Sequence, residues 1–374
     1  MLGERDFMPV YFDHNATTHL DPQVLEAMLP YLSGPSANAS SLHRFGRMAR
    51  DAVERARAQL ACALGCEADE IIWTSGGTEA DNLAVKGATT PDGRVLYGAT
   101  EHPAVMEAAD SLGAVRAASI AVDAQGVICL ASLQQELAAG AQLISVMCAN
   151  NETGVIQELA PIAKRARAAG ALLHVDAVQA LGKLPLSLQD MDCDLLSVSA
   201  HKIYGPKGCG ALVVRNHTDL KAIIHGGAQE GTLRGGTENV AAIVGFGEAA
   251  QIAARELDSR AHHCLQLRQR LEQGLKQMDG ALIFGEASPR LPNTVQFAVP
   301  GWEGEALLMA LDRKGFAVSS GSACASGSGE PSHVLTAMGY DRDTAKGAVR
   351  VSLGKDNRAQ QVDDFLAALR ALQP

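Results

Sequence analysis

Residues Ala171 to Lys202 read ALLHVDAVQALGKLPLSLQDMDCDLLSVSAHK. They hold two short apolar runs, and each closes on polar residues that an ordinary core would not choose. The first, Ala171 to Val175, is interrupted by His174 and delivers Asp176. The second, Asp194 to Ser199, delivers Ser199, His201 and Lys202. Apolar runs of this length read as buried strands. In open α/β sheets, ligands gather outside the carboxyl ends of the strands. An acid at one strand end and a lysine at the next suit an aromatic nitrogen cofactor bound through an aldehyde. The lysine can form a Schiff base, and the acid can keep a pyridinium nitrogen protonated. Alone, Asp176 reads as a helix cap or turn residue, and Lys202 as a solvated loop lysine. Gln179 and His201, following the same apolar runs, shift the balance toward a cofactor site.

At 374 residues the chain has room for two domains and a large core. Hydrophobic residues make up 47% and charged residues 20%, as in ordinary globular proteins. A formal net charge of −10 speaks against stable nucleic-acid binding. No apolar run has transmembrane length, and the N-terminal MLGERDFMPVYFDHN lacks the apolar region of a signal peptide. Eight scattered cysteines form no CxxC pair, so neither a zinc site nor a disulfide scaffold is indicated. A cytoplasmic, reducing setting is expected, with no membrane partner.

Other stretches extend the pattern. DPQVLEAMLPYL, from Asp21, starts a helix with Asp as N-cap and Pro in the first helical position. SANASSLHRFGR, from Ser36, is a polar loop of small residues before a helix over Met48 to Leu64. EIIWT, Glu70 to Thr74, is strand-like and runs through a Gly-Gly turn into TEADNLAVKGA. That order points backbone amides and a helix N-terminus at a phosphate, with Gly77 and Thr78 as candidate ligands. The spacing is neither GxGxxG nor a Walker loop. RVLYGAT, Arg94 to Thr100, leads to His102, and QLISVMCA, Gln142 to Ala149, leads to NNETG, where Asn151 reads as a turn residue.

HGGAQEGTLRGGT, His225 to Thr237, reads as a flexible loop, and Asn239 to about Met278 as helical. His262, His263 and Cys264 sit side by side in that helix, point in different directions and make no shared metal site. From Ala281 the pattern changes to short strands and helices, the expected smaller domain. SSGSACASGSG, Ser319 to Gly329, surrounds Cys324 with small residues that cost entropy to order, so mobility is expected there. Arg350 stands in the apolar alternation of AVRVSLG, where an unpaired charge is costly. Its guanidinium could grip a carboxylate through two hydrogen bonds or serve a structural ion pair.

HVDAVQALGKLP followed by SAHKIYGPKGCGAL resembles the cysteine desulfurases, pyridoxal-phosphate enzymes of the aminotransferase class V group. SSGSACASGSGEPSHVL is similar to the members with the longer cysteine loop. The resemblance runs from YFDHNATT at Tyr11 to AVRVSLG ending at Gly354. It implies an α/β protein with the type I fold of pyridoxal-phosphate-dependent transferases. The large cofactor-binding domain, residues 16–258, would hold a mostly parallel seven-stranded sheet. Residues 1–15 and 259–374 would form the smaller α+β domain, carrying the cysteine loop at about 319–330.

By the same resemblance Lys202 holds pyridoxal 5'-phosphate and moves the Cα proton, while Asp176 pairs with the ring nitrogen and Gln179 with the ring oxygen. His102 lies over the ring and shuttles protons. Gly77, Thr78, Ser199 and His201 hold phosphate, and Thr237 reaches the phosphate in the other subunit of a homodimer with shared active sites. Asn151 touches cofactor and substrate, and Asn38 and Arg350 bind substrate. L-cysteine would become L-alanine, with sulfur left on Cys324 as a persulfide for an acceptor such as an iron–sulfur scaffold protein. Cys324 is also a candidate transient iron–sulfur ligand. The sequence departs from the family pattern at Ala39, at Gly231-Thr232 and at Ala325. Alternatives are a selenocysteine lyase, another pyridoxal-phosphate lyase or aminotransferase, and a non-catalytic sulfur or iron–sulfur scaffold. The set Asp176, Lys202 and Arg350 argues against a scaffold.

Overall fold

The computed structural model describes residues 9–320 and 330–372. Its strands are β1 (Val10–Tyr11), β2 (Ile71–Thr74), β3 (Val95–Gly98), β4 (Ala117–Ile120), β5 (Leu143–Met147), β6 (Leu172–Asp176) and β7 (Leu195–Ser199). They continue with β8 (Gly210–Val214), β9 (Leu282–Ile283), β10 (Thr294–Ala298), β11 (Phe316–Ala317), β12 (Ser319–Ser320) and β13 (Ala348–Ser352). The two runs of the opening stretch are neighbouring parallel strands, with Asp176 opposite Ser197. They lie inside a seven-stranded sheet of order β2-β8-β7-β6-β5-β3-β4. Only β8 opposes its neighbours; the other six strands run the same way. The fold is the expected α/β type I architecture.

Period-two alternation divides each central strand between two helical layers. Ile144, Val146, Leu196, Val198 and Val213 pack toward helices Arg44–Leu64, Leu159–Ala169 and Val240–Arg255. Leu143, Leu195, Leu212 and Val214 pack toward helices Gly77–Gly87 and Pro103–Asp110. Fully buried leucines such as Leu60 and Leu196 each contribute about 2 kcal/mol. One row of the sheet is polar. Ser145, His174 and Ser197 are fully buried on three adjacent strands, and the imidazole bonds both hydroxyls, at 2.8 and 2.9 Å.

A four-stranded antiparallel sheet, β12-β13-β10-β9, forms a second core with helices Leu257–Leu275, Gly304–Asp312 and Ala359–Arg370. Strand β1 pairs in parallel with β11, so Phe12 enters this second core against Phe316 and Phe365. The helical pattern from Asn239 is two helices, broken at Glu256. The first packs on the large sheet and the second on the small one.

The glycine-rich segment departs from its reading as a flexible loop. Glu230 is buried and takes two hydrogen bonds from the Arg57 guanidinium, each 2.9 Å, and one from the Trp73 amide. Arg234 binds Glu79 in the first turn of helix Gly77–Gly87. Glycine content conveys backbone freedom but says nothing of the ion pairs that remove it.

Candidate active site

Five strand ends of the large sheet open onto one cavity of about 330 Å³. Gly77 and Thr78 follow β2, His102 follows β3 and Asn151 follows β5. Asp176 ends β6 with Gln179 just beyond, and Ser199, His201 and Lys202 close β7. Asn15 and Ala16 of the N-terminal segment and Arg350 of β13 complete the wall. All six parallel strands end on the same side, so neighbouring ends bring together polar groups far apart in sequence.

Lys202 Nζ donates to the carbonyls of Asn15, at 2.6 Å, and Ala16, at 2.7 Å. Gln179 Nε2 shares the Asn15 carbonyl, at 3.0 Å. Asp176 accepts from the Val178 amide, at 2.9 Å. Burial pushes its carboxyl up to about 6, against the downward pull of that hydrogen bond and of Lys202. Asp81, on helix Gly77–Gly87, also lines the cavity, and burial and the charge of Asp176 raise its carboxyl well above the usual range. Glu101 behaves likewise under burial and the same neighbours, although the Met147 amide bonds it at 2.8 Å.

His102 caps helix Pro103–Asp110, its Nδ1 accepting from the Ala104 amide at 3.1 Å. Its proton in the neutral ring therefore sits on Nε2. Burial, then the charges of Lys202 and His333, hold it down to about 4. His201, bonded to Thr17 Oγ1, is also held near 4, by burial and three lysines.

The far end is different. Arg350 is buried and donates to the Asn151 carbonyl, at 3.0 Å, and to Asp13, at 2.6 Å. The structural ion pair considered from sequence is thus present. Asn151 lines the cavity from within the turn over 151–153, which Asn150 caps, its Oδ1 accepting from the amides of Glu152 and Thr153. Asn15, buried and unremarked in the sequence, bonds Asn151, Thr294, Asn293 and Lys183 through its side chain.

Ten of the expected residues meet in this cavity: Gly77, Thr78, His102, Asn151, Asp176, Gln179, Ser199, His201, Lys202 and Arg350. Asn38 does not; it is exposed, and its carboxamide turns back on the Ser40 amide. Thr237 lines a separate cavity with Trp73, Cys209 and Arg234. Cys324 lies outside the described residues. Asn15, Asp81, Glu101 and Lys183 were missed. Nothing local marks Asp81, a polar residue in an otherwise ordinary amphipathic helix, whereas Asn15 stands in the quoted YFDHNATT.

The donor set fits pyridoxal phosphate. Ser199 Oγ is buried with no partner among the described residues, beside the N-terminus of helix Gly77–Gly87. A Cβ at Gly77 would meet Val178 Cγ2 at 2.8 Å, so this close turn needs glycine. An amine, a buried acid and a phosphate cradle on one cavity match an aldehyde, a protonated ring nitrogen and a phosphate monoester. Among the described residues no group of His, Cys, Asp or Glu could hold a metal ion, and no helix is long and apolar enough to cross a membrane.

The aminotransferase class-V profile matches residues 10–365, and the chain belongs to that family. A cysteine desulfurase of Bradyrhizobium diazoefficiens is 46% identical over 367 residues, which cover 96% of this chain and 93% of that protein. One of Gluconacetobacter diazotrophicus is 44% identical over 380 residues, covering 98% and 95%. The solved NifS-like protein of Rickettsia africae, 34% identical, matches with a TM-score of 0.90 over 97% of this chain and 99% of its own. Within the class-V family the chain is similar throughout its length to the cysteine desulfurases.

Proposed function

We propose that this protein is a cytoplasmic cysteine desulfurase that uses pyridoxal phosphate. It converts L-cysteine to L-alanine and leaves the sulfur on Cys324 for an acceptor protein, with iron–sulfur cluster assembly the expected use. The observation that carries this reading is the meeting of Lys202, Asp176, the helix start at Gly77 and Thr78, and Arg350 on one cavity. The bound cofactor supplies an aldehyde carbon and a ring that accepts electron density from the substrate Cα. Asp176 is the counter-charge for the ring nitrogen. Ser199, His201, Gly77 and Thr78 hold the phosphate. Gln179 would donate to the ring oxygen, and His102, neutral near pH 7, would offer its Nε2–H to the bound group and shuttle protons.

Arg350 grips the amino-acid carboxylate, assisted by Asn151. The Lys202 amine takes the Cα proton and returns one to the forming methyl group. The Cys324 thiolate attacks the substrate sulfur. The C–S bond breaks, an S–S bond forms, and cysteine plus thiol become alanine plus persulfide.

The two-domain division after residue 258 and a homodimer are part of this reading. The helix break at Glu256 supports the first. An exposed apolar stripe supports the second: Leu25, Leu29 and Leu32 on helix Pro22–Ser33, with Leu42, Phe45 and Met48 nearby in sequence. In such a dimer Thr237 serves the phosphate of the neighbouring subunit's cavity.

Purified protein with pyridoxal phosphate, L-cysteine and a reductant tests the proposal. Alanine and sulfide are expected in equal amounts, and neither from Cys324→Ala. Alanine formed independently of Cys324 would remove the persulfide route, and no alanine at all would overturn the reading.

A further inference from the structure

A second, smaller cavity of about 30 Å³ lies behind Lys202, and Lys183 faces into it. Lys183 stands four residues after Gln179, within the hydrogen-bonded turns that follow β6. Its Nζ donates to Gln179 Oε1, at 2.6 Å, and to Asn15 Oδ1, at 3.1 Å. Asn15 holds Lys202 as well, through its backbone carbonyl, so one buried asparagine ties the two lysines together.

Two consequences follow. An ammonium group only donates, so the Gln179 atom beside it must be the oxygen. The Gln179 amide is thereby fixed with its NH2 turned to the Asn15 carbonyl and the main cavity, ready to donate. A cation beside a second amine also disfavours protonation of that amine.

We propose that Lys183 is a positioning residue for Lys202 and Gln179: it fixes the donor face of the Gln179 amide and shares one proton with Lys202, so that the neutral, reactive form of Lys202 is populated below the ordinary lysine range. This rests on Lys202 being the reactive amine of the proposed desulfurase. Burial, then the charge of Lys202, lowers the Lys183 amine to about 7. Arg350 pushes the same way and Cys264 opposes. His14, Arg260 and Lys355 line the same cavity, and Lys183 in turn depresses His201. Below about pH 7 both amines carry protons. Between there and the ordinary lysine range of about 10.4 the pair carries one, which either amine can hold.

The test uses full-length protein freed of cofactor, with no cysteine and no sulfur transfer. Trace labelling with an amine-reactive reagent across pH, read by peptide mass spectrometry, gives the half-labelling pH of Lys183 and Lys202. Lys183→Gln keeps a donor and loses the charge, and should raise the Lys202 half-labelling pH by about one unit. Lys183→Arg keeps a charge at every pH and should hold Lys202 at or below its wild-type value. A purely structural Lys183 would lower thermal stability in the Gln variant while Lys202 titrates unchanged; that outcome, or equal shifts in both variants, overturns the proposal. Should the variants not fold, the wild-type amines decide: half-labelling of Lys202 well below about 10.4 supports the shared proton, and Lys202 near 10.4 overturns it. Failure of desulfurase activity would leave these readings untouched.

Discussion

The two ends of the main cavity are held by different means. At the Asp176 and Lys202 end, the polar groups sit just after strands β2, β6 and β7, and sheet hydrogen bonding sets their spacing. At the Arg350 end, three distant segments meet on one guanidinium: Arg350 reaches Asp13 across 337 positions and the Asn151 carbonyl across 199. Backbone ladders tolerate side-chain changes, so the first end should keep its shape when its chemistry is altered. The second has a single backbone bridge, between Asp13 and Ser352, and Arg350 reaches Asn151 only through its guanidinium. Removing one guanidinium there alters both chemistry and geometry.

The largest effect is expected at the first end. Lys202→Ala should lower alanine formation by about 10⁴-fold or more and abolish covalent retention of cofactor, while far-ultraviolet circular dichroism stays that of wild type. Arg350→Ala should cost about 10³-fold in kcat/KM for L-cysteine. It should leave cofactor retention intact, separating the two ends, and it should also lower the unfolding midpoint, because Asp13 loses its partner. An unchanged midpoint would show that the far end is held without the ion pair.

Away from both ends, Glu230→Gln should destabilise the protein by about 3 kcal/mol in denaturant unfolding, since Arg57 keeps a buried charge with only the exposed Glu54 beside it. Turnover of the folded variant should change only a few-fold. The smallest expected effect is a titration. His102 should show a midpoint near 4 by NMR in the cofactor-free protein, remaining neutral from pH 5 upward. Its folded-state value lies below the unfolded one, so its contribution to stability is present above about pH 6.5 and is lost as pH falls toward 4. Lys202→Ala should lift that midpoint by on the order of one unit and leave it below 6.5, because burial is the larger cause.

The same contrast explains what could be read before the structure. Asp176, Ser199, His201 and Lys202 were legible because each follows an apolar run, and strand ends are where α/β proteins place ligands. Gly77 and Thr78 were legible as a strand–glycine–helix turn. Arg350 stood out as a charge in an apolar alternation, but its Asp13 partner did not, because no local pattern encodes a contact across 337 positions. Asp81 and Glu101 look like ordinary polar residues, and only the sheet brings them toward Asp176. Lys183 was quoted within HVDAVQALGKLP, yet its role depends on Asn15, which arrives from the other end of the chain's fold. The glycine-rich segment was misread for the opposite reason: composition reports freedom, and the Arg57–Glu230 and Arg234–Glu79 pairs that cancel it are tertiary.

The most direct test of the central claim asks which amine holds the cofactor. Protein loaded with pyridoxal phosphate would be reduced with borohydride, digested, and the cofactor-bearing peptide sequenced by mass spectrometry. The cofactor is expected on Lys202, in the peptide containing SAHK. Its presence on Lys183 or Lys207, or on no lysine at all, would contradict the account.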